Sequence, residues 1–239
     1  MTMARRRLLV FLFLLLTALA FVGFMALGVW QVKRLAWKED LIARVDARVH
    51  AEAVEAPARK AWAEVSEEQH EYLHVQLSGQ YRAQAVALVA AATQEGQGYW
   101  VMAPLQRNDG SWVYVNQGFV PQAEREAASK GAYTPAGPVT VKGLLRLSHP
   151  GGGVLRDNVP AENRWYSRDV DAMAAQQGLS PVAPYFVDAE AAGSGLPVGG
   201  LTVIQFRNNH RVYALTWFAL ALGMVLAAWL VLRDSRRKR

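Results

Sequence analysis

Two long uncharged stretches lie near the two ends of this 239-residue chain. The first covers residues 8–29 and the second covers residues 212–232, and both are rich in leucine, valine, alanine and phenylalanine. About 20 apolar residues span a bilayer as an α-helix, and backbone groups inside lipid must be hydrogen-bonded within the segment. The pattern therefore predicts transmembrane helices at residues 8–30 and 212–232.

Between these stretches the apolar runs are short, and their length is typical of β-strands. The first helix is expected to continue to about residue 50, and a helix-loop connection follows to residue 71. The sequence Asp109-Gly110 is typical of a hairpin turn, because glycine adopts φ > 0 without strain. The predicted strands are 72–81, 85–92, 98–106, 111–116, 138–147, 184–188 and 201–206.

One amphipathic helix is predicted at residues 167–177, ended by Gly178. Ser167 is the expected N-cap, and Asp169 and Asp171 lie near the positive end of the helix dipole. The predicted fold class is therefore two transmembrane α-helices flanking a β-rich α+β extracytoplasmic domain at residues 31–211. Its strands are expected to form an antiparallel sheet or a small barrel.

The positive charge of the chain is concentrated in two short tails, residues 1–7 and 233–239. The chain carries 26 Lys and Arg, 20 Asp and Glu and a net charge of +6, but the tails hold eight of the basic residues. The positive-inside rule then predicts that both termini are cytoplasmic and that residues 31–211 are periplasmic, in a bacterial inner membrane. Contact with anionic lipid explains the tails, so nucleic acid is not an expected partner.

A cleaved signal peptide is the alternative for the first stretch, since Ala26-Leu27-Gly28 resembles a cleavage site. The stretch is longer than a usual signal-peptide apolar region, which favours an uncleaved helix. Tails of about seven residues are too short for a signalling domain. Because the chain has no cysteine, thiolate metal sites and covalent c-type haem attachment are excluded.

Two tryptophans follow the first apolar stretch at a helical spacing. Trp30 and Trp37 are seven residues apart and share a helix face, which suits the aromatic belt of a bilayer. Lys33, Arg34 and Lys38 can reach lipid phosphates from the same segment. Anchoring to the lipid bilayer is the simpler interpretation, and docking of another membrane protein is the alternative.

His70, Glu71 and His74 match the bare H-E-x-x-H pattern of zinc proteases. That chemistry needs one helix to bring both imidazoles and the carboxylate together. The residues from Tyr72 onward instead read as a strand, which would separate the two histidines. A zinc site is therefore not expected here.

His210 lies two residues before the second apolar stretch. Tyr213, Ala214 and Trp217 follow at positions i+3, i+4 and i+7, so they share its helix face. An imidazole nitrogen above an apolar, aromatic wall is what an axially ligated haem requires. From the spacing alone, a simple interfacial histidine is the favoured interpretation, and Asn208 and Asn209 fit an N-cap pair for the helix.

Several motifs taken together make the chain resemble the SURF1 (Surf1/Shy1) family over nearly its whole length. One departure is Gln117-Gly118-Phe119, where the family often has Arg-Gly-Trp, so a role for that basic side chain is in doubt. The motifs, in family order, are Gly28-Val29-Trp30-Gln31 with Arg34 and Trp37-Lys38, Tyr99-Trp100-Val101-Met102-Ala103-Pro104-Leu105, Val115-Asn116-Gln117-Gly118-Phe119-Val120-Pro121, Arg156-Asp157-Asn158, Asn163-Arg164-Trp165-Tyr166-Ser167-Arg168-Asp169, Ala183-Pro184-Tyr185-Phe186 and Asn208-Asn209-His210-Arg211-Val212-Tyr213-Ala214-Leu215-Thr216-Trp217.

The resemblance implies an assembly factor, not an enzyme, for a haem-copper oxidase of the aa3-type cytochrome c oxidase class. It implies that haem A is bound transiently and that formation of the haem a3 site in subunit I is aided. Subunit I is the implied partner, with haem A synthase as a further candidate. The alternative is a membrane scaffold that stabilises subunit I without binding haem.

The resemblance also assigns residue roles. His210 corresponds to the second-helix histidine through which bacterial members have been linked to haem a, so it is the candidate axial ligand. Tyr213 and Trp217 complete the candidate cofactor site, and no catalytic residue or metal beyond haem iron is expected. The expected interface or anchor residues are Trp30, Gln31, Arg34, Trp37, Lys38, Asn208 and Asn209.

Overall fold

The computed structural model describes residues 3–153, 156–191, 193, 195–202 and 208–237. The chain divides into two compact units. One consists of Met1–Arg44 and Gln205–Arg239, and the other of Val45–Ile204. The first contains the two apolar helices, and the second contains every strand that the described residues form.

The described residues form five α-helices, seven strands and several short 3-10 helices. The α-helices are α1 (Met3–Val49), α2 (Glu67–His70), α3 (Arg125–Ser129), α4 (Val170–Gln176) and α5 (His210–Arg237). The strands are β1 (Val54–Glu55), β2 (His74–Tyr81), β3 (Ala87–Thr93), β4 (Gly96–Arg107), β5 (Trp112–Pro121), β6 (Pro138–Leu147) and β7 (Val182–Ala189).

Helices α1 and α5 are both long and apolar enough to cross a membrane. Their outer faces expose large apolar side chains, and Leu16 and Leu222 are 67% and 70% exposed. In water such surfaces would be costly, whereas in lipid the acyl chains cover them. The two helices therefore fit a membrane protein, as the uncharged stretches predict.

Five strands of the second unit close into a barrel. The order around it is β2, β6, β7, β5 and β4, and β4 returns to β2. The closing pairs are antiparallel, with Gly79 opposite Arg107 and Tyr81 opposite Leu105. Two strands lie outside the ring: β1 pairs with β2 in parallel, and β3 pairs with β4 in antiparallel. The predicted fold class, two apolar helices flanking a β-rich domain, is confirmed in its barrel form.

One barrel pair departs from the antiparallel expectation, because β5 and β7 run parallel. Parallel neighbours need a long crossover instead of a tight turn. The chain between these two strands accordingly contains β6, α3 and α4 before it returns.

Side chains alternate along the barrel strands between an inner core and an outer core. On β5, Val113 and Val115 lie in the inner core, whereas Trp112 and Tyr114 lie in the outer core with residues of α4. This is the period of two that a strand imposes. The inner core, supplied by all five barrel strands, includes Val75, Leu77, Leu105, Val113, Val115, Leu145, Ala183, Tyr185 and Val187.

Two glycines are required by the local geometry. At the closing pair, a Cβ on Gly79 would lie 2.2 Å from the carbonyl oxygen of Gln106, so any side chain there would separate β2 from β4. In the β4–β5 hairpin, Gly110 has φ +78°. Asp109 Oδ1 accepts a 3.0 Å hydrogen bond from the Ser111 N–H in the same turn, which confirms the predicted hairpin.

The other predicted strands within residues 72–188 are present, and the one at 138–147 has the bounds of β6. Most ends shift by one or two residues, but β5 continues to Pro121, five residues beyond its predicted end. The strand predicted at 201–206 lies mostly outside the described residues.

The predicted N-cap of α4 is wrong: Asp169 Oδ1 accepts from the Ala172 N–H at 3.1 Å. Ser167 Oγ instead accepts from Asn158 Nδ2 at 2.9 Å, which holds the serine in the preceding loop.

Two fully buried tyrosines provide a matched test of the cores. Tyr185 donates a 2.7 Å hydrogen bond to the Pro57 carbonyl, whereas the Tyr114 hydroxyl has no partner among the described residues. We expect Tyr185→Phe to lower the free energy of unfolding by about 1 kcal/mol. Tyr114→Phe should leave it unchanged or raise it by about 1 kcal/mol, because a buried unsatisfied hydroxyl is removed.

The measurement is urea unfolding of the full chain in detergent, followed by tryptophan fluorescence. The two variants remove the same atom from equally buried rings and so control for each other. A larger loss of stability in Tyr114→Phe than in Tyr185→Phe would contradict the assignment of hydrogen bonds.

Candidate functional site

Helices α1 and α5 contact each other through small and aromatic side chains. Phe218 lies over Gly28, where an added Cβ would be 2.6 Å from its ring. Phe24 stacks on Trp217 with ring centroids 5.8 Å apart. Ala214 is also buried on α5. Small residues let membrane helices approach closely, so this contact explains the glycine of the first motif.

A polar pair lies at one end of this contact. The His210 Nδ1 atom is 2.7 Å from the Gln31 Oε1 atom. Gln31 is only 8% exposed, and His210 is partly buried at the first turn of α5. A buried amide is stable only when it is hydrogen-bonded, so the two side chains hold each other in place.

The hydrogen bond also defines the proton position on the imidazole. A carbonyl oxygen only accepts, so Nδ1 of His210 carries the proton and donates it to Gln31. In the neutral ring, Nε2 is then left with its lone pair. Among the described residues, Nε2 of His210 has no hydrogen-bond partner. This is the arrangement of a metal-binding histidine, whose second ring nitrogen is held by a neighbouring acceptor.

The aromatic residues predicted near His210 differ in their positions. Trp217 is partly buried against α1, and its Nε1 atom is buried without an acceptor among the described residues. Tyr213 is 53% exposed and lies away from the buried face of α5. The structure therefore brings Trp217, but not Tyr213, into the contact between the two helices.

The predicted interface residues are distributed around the same unit. Asn208 Oδ1 accepts a 3.4 Å hydrogen bond from the His210 N–H, so this asparagine contributes to the start of α5. Asn209 is exposed. Trp30 and Trp37 are 54% and 46% exposed. These positions leave both tryptophans accessible to lipid or to another protein.

The basic neighbours of Trp37 include one direct contact. The Arg34 guanidinium lies 3.9 Å from the centre of the Trp37 ring, in a cation–π arrangement. Lys38 is partly buried on the same helix. Contact of these side chains with lipid phosphate stays a prediction.

The H-E-x-x-H residues do not share a helix. His70 ends α2, whereas His74 begins β2, and Tyr72 between them has φ 62°. The His74 Nδ1 atom is 2.7 Å from the Ala51 carbonyl oxygen, and Glu190 lies 2.8 Å from Nε2, although Nε2 has no hydrogen-bond partner among the described residues. No group of three potential ligands close enough for a metal occurs among the described residues.

Glu71 instead belongs to a buried ionic network that the sequence pattern did not predict. Arg146 Nε donates to Glu71 at 2.6 Å, and Arg146 also lies 3.1 Å from Asp188. Asp188, 4% exposed, receives further hydrogen bonds from Asn116 and Thr202, at 2.7 and 3.0 Å. Four side chains therefore donate to Asp188: Arg146, Asn116, Thr202 and a second arginine.

The second arginine is Arg168, whose NH1 atom lies 3.4 Å from Asp188. Burial holds the pKa of Arg168 below its ordinary value, and Asp188 acts in the opposite direction. Burial also opposes the charge of Arg146, but Glu71 and Asp188 together raise its pKa. Two arginines and two carboxylates thus neutralise each other, so the network fits a structural role better than a catalytic one.

The fold and this helix contact define a class: a small β-barrel domain carried between two apolar helices of membrane-spanning length. The profile of the SURF1 family matches residues 18–222. The chain belongs to the SURF1 family, as its motifs predict.

Three relatives illustrate the extent of the similarity. Surfeit locus protein 1 of Homo sapiens is 32% identical over 216 residues, covering 82% of this chain and 69% of that protein. Surfeit locus protein 1 of Mus musculus is 33% identical over 225 residues, covering 87% and 70%. A SURF1-like protein of Monosiga brevicollis is 31% identical over 228 residues, covering 89% and 84%.

The sequence reasoning placed Gln31 among anchor residues and missed its bond to His210. A signal for it was present in the spacing of small or polar residues along the apolar helix. Thr17, Gly28 and Gln31 are separated by eleven and three residues, close to whole helical turns, which places them on one face. An amide on that face, at the end of an otherwise apolar helix, predicts a polar partner.

Replacing Gln31 tests the proton position on His210. We expect Gln31→Leu to remove the preference for Nδ1–H, shifting the tautomer ratio about fivefold, the equivalent of one hydrogen bond. The measurement is the ¹⁵N chemical shift of both His210 ring nitrogens in labelled protein, assigned with His210→Ala. Thr17→Val is the matched control, because Thr17 lies on the same helix and its hydroxyl donates to the Phe13 carbonyl and not to His210. Unchanged shifts in Gln31→Leu would contradict the bond.

Replacing Asp188 tests the buried network. Asp188→Asn leaves two buried guanidinium groups with less compensation, so we expect the free energy of unfolding to fall by about 3–5 kcal/mol. Glu190→Gln is the control, since Glu190 is 55% exposed and its pair with His74 should be worth at most about 1 kcal/mol. Chemical unfolding monitored by circular dichroism compares them, and equal losses would argue against the network.

Proposed function

We propose that this protein is an assembly factor for aa3-type cytochrome c oxidase that binds haem A and aids formation of the haem a3 site in subunit I. Membership of the SURF1 family supports the role in oxidase assembly. The observation that carries the haem-binding part is the 2.7 Å contact between His210 and Gln31. The proposed role is binding and hand-over, with no covalent chemistry and hence no enzymatic activity.

The residues around His210 fit a haem on chemical grounds. A haem iron takes an imidazole nitrogen as axial ligand, and the bond to Gln31 leaves Nε2 of His210 for that purpose. Phe24, Ala214 and Trp217 provide an apolar and aromatic surrounding on the same pair of helices. The haem would supply the iron, while Gln31 would hold the imidazole ring in a fixed orientation.

The proposed location is the bacterial inner membrane, with both basic tails in the cytoplasm and residues 31–211 in the periplasm. The positive-inside rule and the two apolar helices support this orientation. Subunit I is the proposed partner, and haem A synthase is a further candidate because it would supply the haem. The exposed Trp30 and Trp37 and the cation–π pair of Arg34 offer contacts with lipid or with subunit I.

The test is the reduced-minus-oxidised visible spectrum of the full chain, purified in detergent from cells that make haem A. We expect a haem a signal that is lost in His210→Ala, because the axial ligand is removed. Gln31→Leu should weaken haem retention by about tenfold, since loss of an outer hydrogen bond to a ligating histidine typically costs that much. His50→Ala is the matched control, because its side chain is 74% exposed and it follows the last residue of α1, 19 positions after Gln31.

An equal signal in wild type and His210→Ala would assign the ligand to another residue. If neither protein holds haem, although haem A synthesis is confirmed and subunit I co-purifies, the scaffold alternative replaces the haem-binding proposal. Membrane insertion of each variant is checked by fractionation, so that a misfolded protein is not counted as one without haem.

A further inference from the structure

Residues 156–169 form a loop that precedes α4 in the barrel unit. Asn158 ties its two arms together, because Oδ1 accepts from the N–H groups of Tyr166 and Ser167 at 2.8 and 3.1 Å. The Trp165 side chain is 1% exposed, and its carbonyl accepts a 2.9 Å hydrogen bond from Ala90 of β3. The loop is therefore fixed to the edge strand of the sheet, and its arginines start from a fixed backbone.

A cavity of about 240 Å³ lies between this loop and the β3–β4 hairpin. Three arginines line it: Arg125, Arg156 and Arg164. The other described lining residues are apolar or carry amide and hydroxyl groups, and none of them is an aspartate or glutamate. The cavity therefore concentrates positive charge in a domain whose overall charge is close to neutral.

Two of the arginines are positioned by tyrosine rings rather than by carboxylates. The Arg125 guanidinium lies 5.6 Å from the centre of the Tyr99 ring, and that of Arg156 lies 5.5 Å from Tyr166. Neither forms an ion pair with any described residue. A ring contact uses the face of a guanidinium and leaves its N–H edge for a ligand.

The third arginine and the nearby acids do not neutralise the cavity. Arg164 pairs with Glu162 at 2.7 Å, but both side chains are about half exposed, so this pair is weak. Glu124, adjacent to Arg125, accepts a hydrogen bond from the Tyr133 hydroxyl. Asp157, adjacent to Arg156, is exposed and does not line the cavity. Three like charges around one small space repel one another unless an anion joins them.

We propose that this cavity binds a phosphate group, presented by a phosphate ester. Guanidinium groups bind phosphate in a bidentate manner, and a monoester carries nearly two negative charges with three free oxygens. Three arginines around one cavity match that charge better than the single charge of a carboxylate. The cavity also has room for part of the ester substituent beside Tyr99 and Tyr166. The phosphate comes from a free ester or from a lipid headgroup.

The first test is calorimetric titration of the full chain in detergent with phenyl phosphate at constant ionic strength. We expect saturable binding that weakens about tenfold or more in Arg156→Gln with Arg164→Gln, since each charge-assisted hydrogen bond contributes about that factor. Arg59→Gln is the matched control, because Arg59 is exposed on the same unit and outside the cavity. Unchanged unfolding temperatures verify that the variants are folded.

The second test distinguishes the two sources of phosphate. Short-chain phosphatidic acid, whose headgroup is a phosphate monoester, and short-chain phosphatidylcholine, a zwitterionic diester that serves as the control, are titrated in the same way below their micellar concentrations. Arginine-dependent binding of phosphatidic acid that is at least about tenfold tighter than that of phenyl phosphate supports a lipid headgroup. Comparable or weaker binding, with phenyl phosphate still dependent on the arginines, supports a free ester.

Three results would overturn the proposal. One is the absence of phenyl phosphate and phosphatidic acid binding, and another is binding that the double arginine variant retains in full. The third is saturable binding of an aspartate-rich octapeptide in the absence of phosphate binding, which would make the cavity a contact for an acidic protein segment.

Discussion

The pairing of β2 with β4 is the contact on which the domain depends. These two strands are the ends of the series β2, β6, β7, β5 and β4, so they can pair only when the sheet curls through a full turn. Their pairing converts an open sheet into a ring. Gly79 permits the two backbones to meet there. Closure gives the inner core its walls on every side, because all five ring strands contribute buried residues to it. It also satisfies backbone groups that an open edge would leave exposed.

The parts of the fold that depend on local pattern could be predicted from the sequence. The apolar helices follow from uninterrupted hydrophobic runs, and the β4–β5 hairpin follows from Asp109-Gly110. The strands follow from short alternating or continuously apolar runs bounded by turn residues. Ring closure could not be predicted, because it depends on contacts between residues distant in sequence. The N-cap of α4 was misplaced for a related reason: Asn158, in an earlier part of the loop, engages Ser167.

The candidate site was predictable in part. The position of His210 before an apolar helix identified it as a residue of interest, and the helix period placed Trp217 on the same side. The helix period could not show that Tyr213 lies outward, because Tyr213 and Trp217 are close in angle around α5. Contact with α1 determines which of the two is buried. The role of Gln31 required knowing which face of α1 meets α5. The arginine cavity required a tertiary structure, since its residues come from three separate segments.

Buried polar groups are not all satisfied to the same degree. In the barrel, Asp188 is surrounded by four donors and its charge is compensated by two arginines. The Tyr114 hydroxyl in the same unit and the indole N–H of Trp217 between the apolar helices are buried without a partner among the described residues. An unsatisfied polar group costs free energy in an apolar surrounding, and a buried charge costs far more than a neutral group. The buried carboxylate is accordingly compensated, whereas these two neutral groups are not.

The parallel pairing of β5 with β7 has a consequence for how the chain acquires its structure during synthesis. β7 fills the gap between β5 and β6 and is the last of the ring strands to be made. Until it arrives, one edge of each neighbour is open and the inner core lacks Tyr185 and Val187. The ring therefore completes only shortly before the second apolar helix emerges. A chain that stops earlier would present two unpaired strands, which favours aggregation and recognition by quality-control proteases.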